Sequence, residues 1–384
     1  MGNQLDFNWQ KFRELMPIAE KWAYFDHAAV SPLPQPASEA IRGWLDQATA
    51  DGDVHWPDWA SQVEKTRAAA ARLIDADLSE IGLIPNTSTG IGLVAEGFPW
   101  KAGDNVVTFT NEFPSNQLPW MHLQDRGVEI RSVPVEVAVD PQKLAEAIDS
   151  RTRIVAISWV GFATGWRIDV DEIVQIAHER GALVFLDAIQ GLGVFPLNVR
   201  TTPVDFLAAD GHKWMLGPEG AGLFFVQSEH LDLLRPINIG WNSVKNAYNY
   251  DAPQLAFRNT AARYEGGSMN IVGMLGFGAS LDLLLSAGAG PEHSTLAHRV
   301  LELTDYACQQ LHELGATLLT QRAPGHNSGI VTFQMPGREP GDIRRACREA
   351  EVIVSCRGGG VRIAAHAYNN HQDIDRLIRV LSEV

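Results

Sequence analysis

Cysteine is scarce, and so are the signals of an exported, membrane-spanning or nucleic-acid-binding chain. The three cysteines, Cys308, Cys347 and Cys356, are widely spaced, so neither a disulfide framework nor a metal site is expected. No apolar run reaches the length of about 18 residues that a spanning helix needs. The opening MGNQLDFNWQ has neither a basic n-region nor an apolar h-region, and a cytoplasmic location is the expectation. Basic clusters are missing too: 31 Lys and Arg stand against 46 Asp and Glu, for a net charge of −15. A phosphate-backbone partner is therefore not expected, and any bound anion must be held by a local site. The Walker pattern G-x-x-x-x-G-K is absent, which argues against a nucleoside triphosphate. Neither an internal repeat nor a low-complexity segment occurs.

What is present is a chain of 384 residues, 45% hydrophobic and 20% charged, long enough for a large core and two domains. Periodicity predicts a short helix over 8–16, an extended Pro-punctuated segment over 24–36, and helices over 36–50 and 57–75. IGLIPN (81–86), DNVVTFT (104–110) and RIVAISWV (153–160) read as strands, with helices following from Thr87 and over 169–180. Strands alternating with helices through residue 226 predict an α/β fold with a parallel, doubly wound sheet. Residues 235–270 lack periodicity, and a long irregular segment in a compact chain is usually functional. A helical stretch over 271–314, broken near 288–291, leads to strands in SGIVTFQM, VIVSC and VRIAAH and to helices near 340–350 and 371–383. The expected division is a large domain over 20–270 and a small α+β domain from 1–19 and 271–384.

The most informative stretch is LVFLDAIQGLGVFPLNVRTTPVDFLAADGHKWMLGPEGAGLFFV (183–226). LVFLDA reads as a buried strand delivering Asp187 to its C-terminal end, where open α/β sheets bind ligands. Lys213 follows a second apolar run and precedes a third, so it sits in a turn between buried strands. An amine desolvated among apolar groups has a lowered pKa and becomes nucleophilic near neutral pH. A lysine for an aldehyde and a carboxylate for a pyridine nitrogen are what pyridoxal phosphate requires. Gln190, three residues after Asp187, would reach the ring's 3′-oxygen. Thr87 and Ser88 open a helix after a strand, a geometry that caps a helix or binds phosphate; with a cofactor lysine elsewhere, they are the expected phosphate contacts. A dinucleotide oxidoreductase is the competing reading, prompted by Gly191-Leu192-Gly193. Pro196 stands where the third glycine of that fingerprint belongs and counts against it.

D-x-x-Q followed by G-H-K-W-x-x-G-P-x-G resembles the class V aminotransferases and cysteine desulfurases, pyridoxal-phosphate enzymes of fold type I. The resemblance runs from Tyr24-Phe25-Asp26-His27-Ala28-Ala29 to Tyr368-Asn369. It implies Lys213 as the Schiff-base lysine, Asp187 as the pyridinium partner and Phe113 as the group stacked on the ring, with His212 helping to tune it. Arg362 aligns with the arginine that clamps the substrate α-carboxylate through a planar fork. His27 and Ala28 border the substrate in the family, although an isolated His beside an Asp is more often a satisfied surface pair. Gly267 and Ser268 resemble the loop that reaches the neighbouring subunit's cofactor, which implies a homodimer.

Two departures narrow the chemistry. Desulfurases usually place histidine where Phe113 stands, and they carry a nucleophilic cysteine on a mobile loop before the arginine strand. Here that segment is Cys356-Arg357-Gly358-Gly359-Gly360, and Cys356 ends an apolar strand, where a thiol behaves as a small buried hydrophobe. Asp210 stands where many relatives have serine or threonine beside the phosphate, and an anion there must be turned away or paired. The expectation is an enzyme acting at the α-amino carbon of an amino acid, by transamination or β-elimination including C–S cleavage. A cysteine desulfurase and an epimerase like isopenicillin N epimerase are the alternatives within the family. A chain of this fold that has lost catalysis is argued against by Lys213, Asp187 and Arg362 occurring together.

Overall fold

The computed structural model describes residues 7–135 and 140–383; the first six residues and Val384 of the small-domain assignment lie outside them. The first eight strands are β1 (Ala23–Tyr24), β2 (Ile81–Ile84), β3 (Asn105–Phe109), β4 (Glu129–Val133), β5 (Thr152–Ser158), β6 (Leu183–Asp187), β7 (Phe206–Asp210) and β8 (Gly222–Val226). Helices among them are α1 (Trp9–Glu14), α2 (Gln35–Asp51), α3 (Trp56–Ile74), α4 (Thr87–Gly97), α5 (Leu118–His122), α6 (Pro141–Ala147) and α7 (Val170–His178). Strands β2 to β8 form one sheet in the order β2-β8-β7-β6-β5-β3-β4. All neighbours are parallel except β8, which is antiparallel to both β2 and β7. The fold is the expected α/β type, with a mostly parallel doubly wound sheet. Its one reversed strand, β8, follows from the short return after Lys213, because a parallel connection needs a crossover of a dozen or more residues.

The central strands read as unbroken apolar runs because both faces are covered. Val155, Ile157, Val184, Leu186, Leu207 and Ala209 point into one core, whereas Ile154, Ala156, Phe185, Phe206 and Ala208 point into the other. On the second face α4 lies tight on β7: a Cβ at Gly90 would stand 2.4 Å from the Ala208 Cβ. On the first face α8 (Ile271–Ser286) packs across α2 and α3.

After α9 (Thr295–Glu313) come β9 (Thr317–Leu318), β10 (Ile330–Gln334), α10 (Pro340–Glu349), β11 (Val352–Ile353), β12 (Ser355–Arg357), β13 (Gly360–Ala364) and α11 (His371–Glu383). Four of these strands make an antiparallel sheet in the order β12-β13-β10-β9. Its core takes in Ala23 and Phe25, since β1 pairs in parallel with β11. Phe12 and Met16, from the N-terminal segment, pack instead into the core of the large sheet. The extended segment after β1 thus runs from one unit to the other and carries Asp26, His27 and Ala28 between them.

Replacing Gly90 with valine is expected to lower the unfolding free energy by about 1–3 kcal/mol, the usual cost of overpacking, as read by urea denaturation. An unchanged midpoint would show that α4 does not press on β7.

Candidate active site

The C-terminal ends of β5, β6 and β7 face the N-terminus of α4 across a cavity of about 300 Å³, where ligands of such sheets bind. Strand β7 passes into a turn that carries Lys213. Gly217 N donates to Gly211 O (2.8 Å) and Gly211 N to Ala221 O (2.8 Å), closing the turn. A Cβ at Gly211 would meet Phe277 at 2.7 Å, so glycine is required by that close approach. Trp214 is buried and anchors the turn, its indole N–H donating to Gln190 Oε1 (2.8 Å). Gln190 Nε2 donates in turn to Ala28 O (3.0 Å). Pinned on both sides, Lys213 points inward with its ammonium 5.6 Å from the Phe113 ring centroid.

Burial lowers the Lys213 pKa to about 8, against an opposing pull from Asp187 and with a further push from Arg362. Asp187 is 3% exposed, and burial raises its pKa to about 6, opposed by the Ile189 N–H and by Lys213. Desolvation therefore outweighs mutual attraction for both groups. Among the described residues the Asp187 carboxyl accepts one hydrogen bond, from Ile189 N at 3.1 Å. Most of the acceptor capacity of this buried carboxyl is therefore unspent.

At the other side of the cavity Asn86 caps α4 by accepting from Thr89 N (2.8 Å). The N–H groups of Thr87 and Ser88 belong to the first turn and have no partner within the helix. Ser88 donates its hydroxyl to Ser115 Oγ (2.8 Å) and Thr87 Oγ1 accepts from Asp210 N (2.9 Å). Asp210 is not isolated: its Oδ2 lies 3.0 Å from His212 Nδ1. The two are in contact but not aligned for a hydrogen bond, since His212 Nδ1 has no hydrogen-bond partner.

Ala28, Thr87, Ser88, Phe113, Asp187, Gln190, His212, Lys213 and Arg362 all line this one cavity. Phe113 is 42% exposed and meets Phe162 edge-on at 5.2 Å, so its face is free to stack. Arg362 is buried on β13: Nη1 donates to Phe162 O (2.6 Å), Nε to Ser355 Oγ (3.2 Å) and Nη2 to Asp26 Oδ1 (3.2 Å). Of five guanidinium N–H donors, three are spent and two remain.

Three expected residues lie elsewhere. His27 is neither at the surface nor on the cavity wall. It is fully buried, its Nδ1 donating to Ala364 O (2.8 Å) and its Nε2 accepting from Tyr368 Oη (3.0 Å), a neutral tautomer inferred from those partners. Gly267 and Ser268 line a separate cavity with Trp241 and Tyr248. Cys356 is also off the wall, its thiol donating to Pro340 O at 3.3 Å.

One carboxylate has no role in the sequence reading. Glu112 is 5% exposed at the end of the β3 segment, accepting from Ser158 N (2.7 Å), Ser158 Oγ and Asn116 Nδ2 (3.1 Å). Burial raises its pKa to about 7, the Ser158 hydrogen bonds opposing and Asp187 adding to the rise. Its place beside Phe113 was visible, but its inward direction depends on Ser158, a distant residue on β5.

The family model "Aminotransferase class-V" matches residues 23–380. The chain belongs to the class V aminotransferase family. It is 29% identical to a "Probable cysteine desulfurase" of Methanothermobacter thermautotrophicus (strain Delta H), over 97% of each chain. It is 27% identical to the "Isopenicillin N epimerase" of Streptomyces clavuligerus, over 97% of this chain and 98% of that one. The apo structure of a cysteine desulfurase from Thermococcus onnurineus NA1 superposes with a TM-score of 0.88 at 27% identity, covering 97% of both chains. The class V chain described here is an enzyme dependent on pyridoxal phosphate, and its cavity fits that cofactor. The under-bonded carboxyl of Asp187 suits a ring nitrogen, and the unspent amides at the α4 N-terminus suit a phosphate.

The Glu112 carboxyl generates a test with a definite sign. Its folded pKa, about 7, lies above the ordinary 4.5, so between those values the folded chain holds a proton that the unfolded chain has lost. Wild-type stability contributed by this group is present at low pH and lost as pH rises through 7. Glu112→Gln removes that titration, and its stability relative to wild type should increase between pH 5 and pH 8 by on the order of 1–3 kcal/mol. Denaturation midpoints at the two pH values measure it; parallel behaviour of the two proteins would rule out a buried, protonated Glu112.

Proposed function

We propose that this enzyme removes the Cα proton of an α-amino acid and carries it on to transamination or β-elimination, with Lys213 as the base. The observation that carries the reading is the single buried amine, lowered in pKa and facing Phe113 and Asp187 in a cavity whose wall has no thiol. In this reading Thr87, Ser88 and the α4 amides hold the phosphate, and Asp187 pairs with the ring nitrogen. Gln190 would face the 3′-oxygen and Phe113 would cover the ring, with His212 beside Asp210 at the edge of the phosphate site. Bound there, pyridoxal phosphate supplies an electron sink for charge developing at Cα. The two remaining donors of Arg362 take the substrate α-carboxylate and orient the Cα–H bond toward Lys213. Lys213 itself, dry and held near neutrality, can accept that proton and return it.

A desulfurase reading is favoured by one observation, the similarity to proteins called probable cysteine desulfurases. It requires a thiol able to receive sulfur, and Cys356 is turned to Pro340 O. A second copy of the chain would cover the exposed Tyr248, which lines one cavity with Gly267 and Ser268, and the exposed Tyr250 and Leu255, making a homodimer with its sites at the interface. We also divide the chain into a large unit over 20–270 and a small unit formed by 1–19 and 271–384, of which Phe12, Met16 and α8 pack against the large unit.

Borohydride treatment of the protein with its cofactor should fix the label on Lys213, as read by peptide mapping; a label on another lysine refutes the assignment. With a panel of amino acids, scoring keto acid, ammonia and sulfide separately, Asp187→Asn should bind cofactor and lose most turnover. Arg362→Lys should lose about 1.5–3 kcal/mol of transition-state stabilisation, because the fork is lost although the charge stays. Cys356→Ser should keep near wild-type turnover. Loss of activity in Cys356→Ser together with a persulfide mapped to Cys356 would instead establish the desulfurase reading.

A further inference from the structure

The cavity wall carries a second arginine. Arg357 ends β12, and Gly358 and Gly359, at φ 59° and 80°, turn the chain into β13. Two consecutive residues with positive φ make a tight turn of the primed type, which glycine adopts without strain. The register pairs Arg357 with Gly360 and Ser355 with Arg362. Residues opposite one another share a face, as do residues two apart on one strand, so Arg357 stands on the same hairpin face as Arg362. Diagonal neighbours of this kind have Cβ atoms roughly 7–8 Å apart. The hairpin is held in place: Gln334 Nε2 donates to Gly359 O (2.7 Å), and a Cβ at Gly358 would lie 3.2 Å from Ala163 O.

The charges on the wall are unequally matched. Arg362 is bridged to Asp26 at 3.2 Å, His212 stands 3.0 Å from Asp210, and Lys213 and Asp187 influence one another. Arg357 is exposed, and its one hydrogen bond among the described residues goes to its neighbour's carbonyl, Cys356 O, at 2.8 Å. No acidic group lies within 4 Å of it among the described residues. In a chain of net charge −15, an unmatched cation fixed at the mouth of the cavity attracts an anion that neither the cofactor nor the α-carboxylate accounts for. The same cavity is lined by the apolar Phe113, Phe162 and Ala29, which suit the methylene part of a side chain.

We propose that the substrate is an α-amino acid with a second acidic group at the end of its side chain, read by Arg357 while Arg362 holds the α-carboxylate. The inference rests on the proposed function, because it takes the cavity at Lys213 as an amino-acid site. A planar guanidinium pairs two-pronged with a carboxylate, whereas an amide in its place leaves the fork unmatched.

The test compares aspartate with asparagine and glutamate with glutamine on the cofactor-loaded protein. Dissociation constants come from the change in the cofactor's absorption band, and kcat/KM from whichever amino acids turn over. Wild type should favour the acid of at least one pair by about 10-fold or more, the scale of one charge-assisted hydrogen bond. Arg357→Gln should bring that ratio toward one by weakening the acid, and Arg357→Lys should restore part of it. Arg344→Gln, the same change on the exposed side of α10, should leave the ratio as in wild type. Equal binding of acid and amide by wild type, or a preference that survives Arg357→Gln, overturns the role of Arg357 alone. Failure of the cofactor band to form overturns the underlying reading, and the role of Arg357 with it.

Discussion

An amine and a carboxyl group are kept dry together at the C-terminal edge of the large sheet, and most of the surrounding structure serves that condition. Each of Lys213 and Asp187 would be better solvated in water, and their attraction does not make up the difference, because burial moves both toward the neutral form. A buried pair of this kind adds little to stability. It persists because the turn that holds it is determined by other contacts. Trp214 fills the core behind Lys213, Gly211 admits Phe277, and Gln190 ties the indole to the Ala28 carbonyl. The energy of folding comes from the two apolar faces of the sheet and is drawn on at the edge.

The same condition explains the division of labour on the cavity wall. Parallel strands bring their C-terminal ends to one line, so Ser158, Asp187 and Asp210 come together from positions far apart in the chain. Phosphate-binding capacity enters from β2 and α4, where the first-turn amides are unspent. The second unit contributes Arg362 and Arg357 from one short hairpin, and the segment that carries Asp26 and Ala28 links the two units directly beneath them. Asp26 accepts from both Ser355 and Arg362, so Arg362 is oriented by a residue more than three hundred positions away in sequence.

How much of this was legible beforehand follows from range. Lys213, Asp187 and Gln190 lie within one strand–turn–strand passage, and local pattern plus the D-x-x-Q and G-H-K-W spacing located them. Apolar runs of five residues marked β3, β5, β6, β7 and β8. Strand β4 was missed because its residues are half-exposed at the sheet edge, which gives no apolar run, and β1 because two residues carry no period. His27 was read as bordering the substrate or as a surface pair because its true partners, Ala364 and Tyr368, come from the far end of the chain. Glu112 was passed over for the same reason, its direction being set by Ser158.

Burial acts with opposite sign on the acids and bases of this chain, and the balance ties stability to the cofactor. Burial holds His366 near 4 and His27 well below its ordinary 6.5, so below pH 6.5 the unfolded chain takes up protons that the folded chain refuses. Their contribution falls as pH falls. Glu112 and Asp187, raised to about 7 and about 6, keep protons that the unfolded chain has lost, so their contribution falls as pH rises. The two pairs oppose one another below 6.5, Asp187 having titrated near 6; above 6.5 Glu112 alone carries the fall, to about 7, and Lys213 begins to titrate only near 8. In the proposed site, a cationic ring nitrogen beside Asp187 would lower that group's pKa and remove its share of the loss.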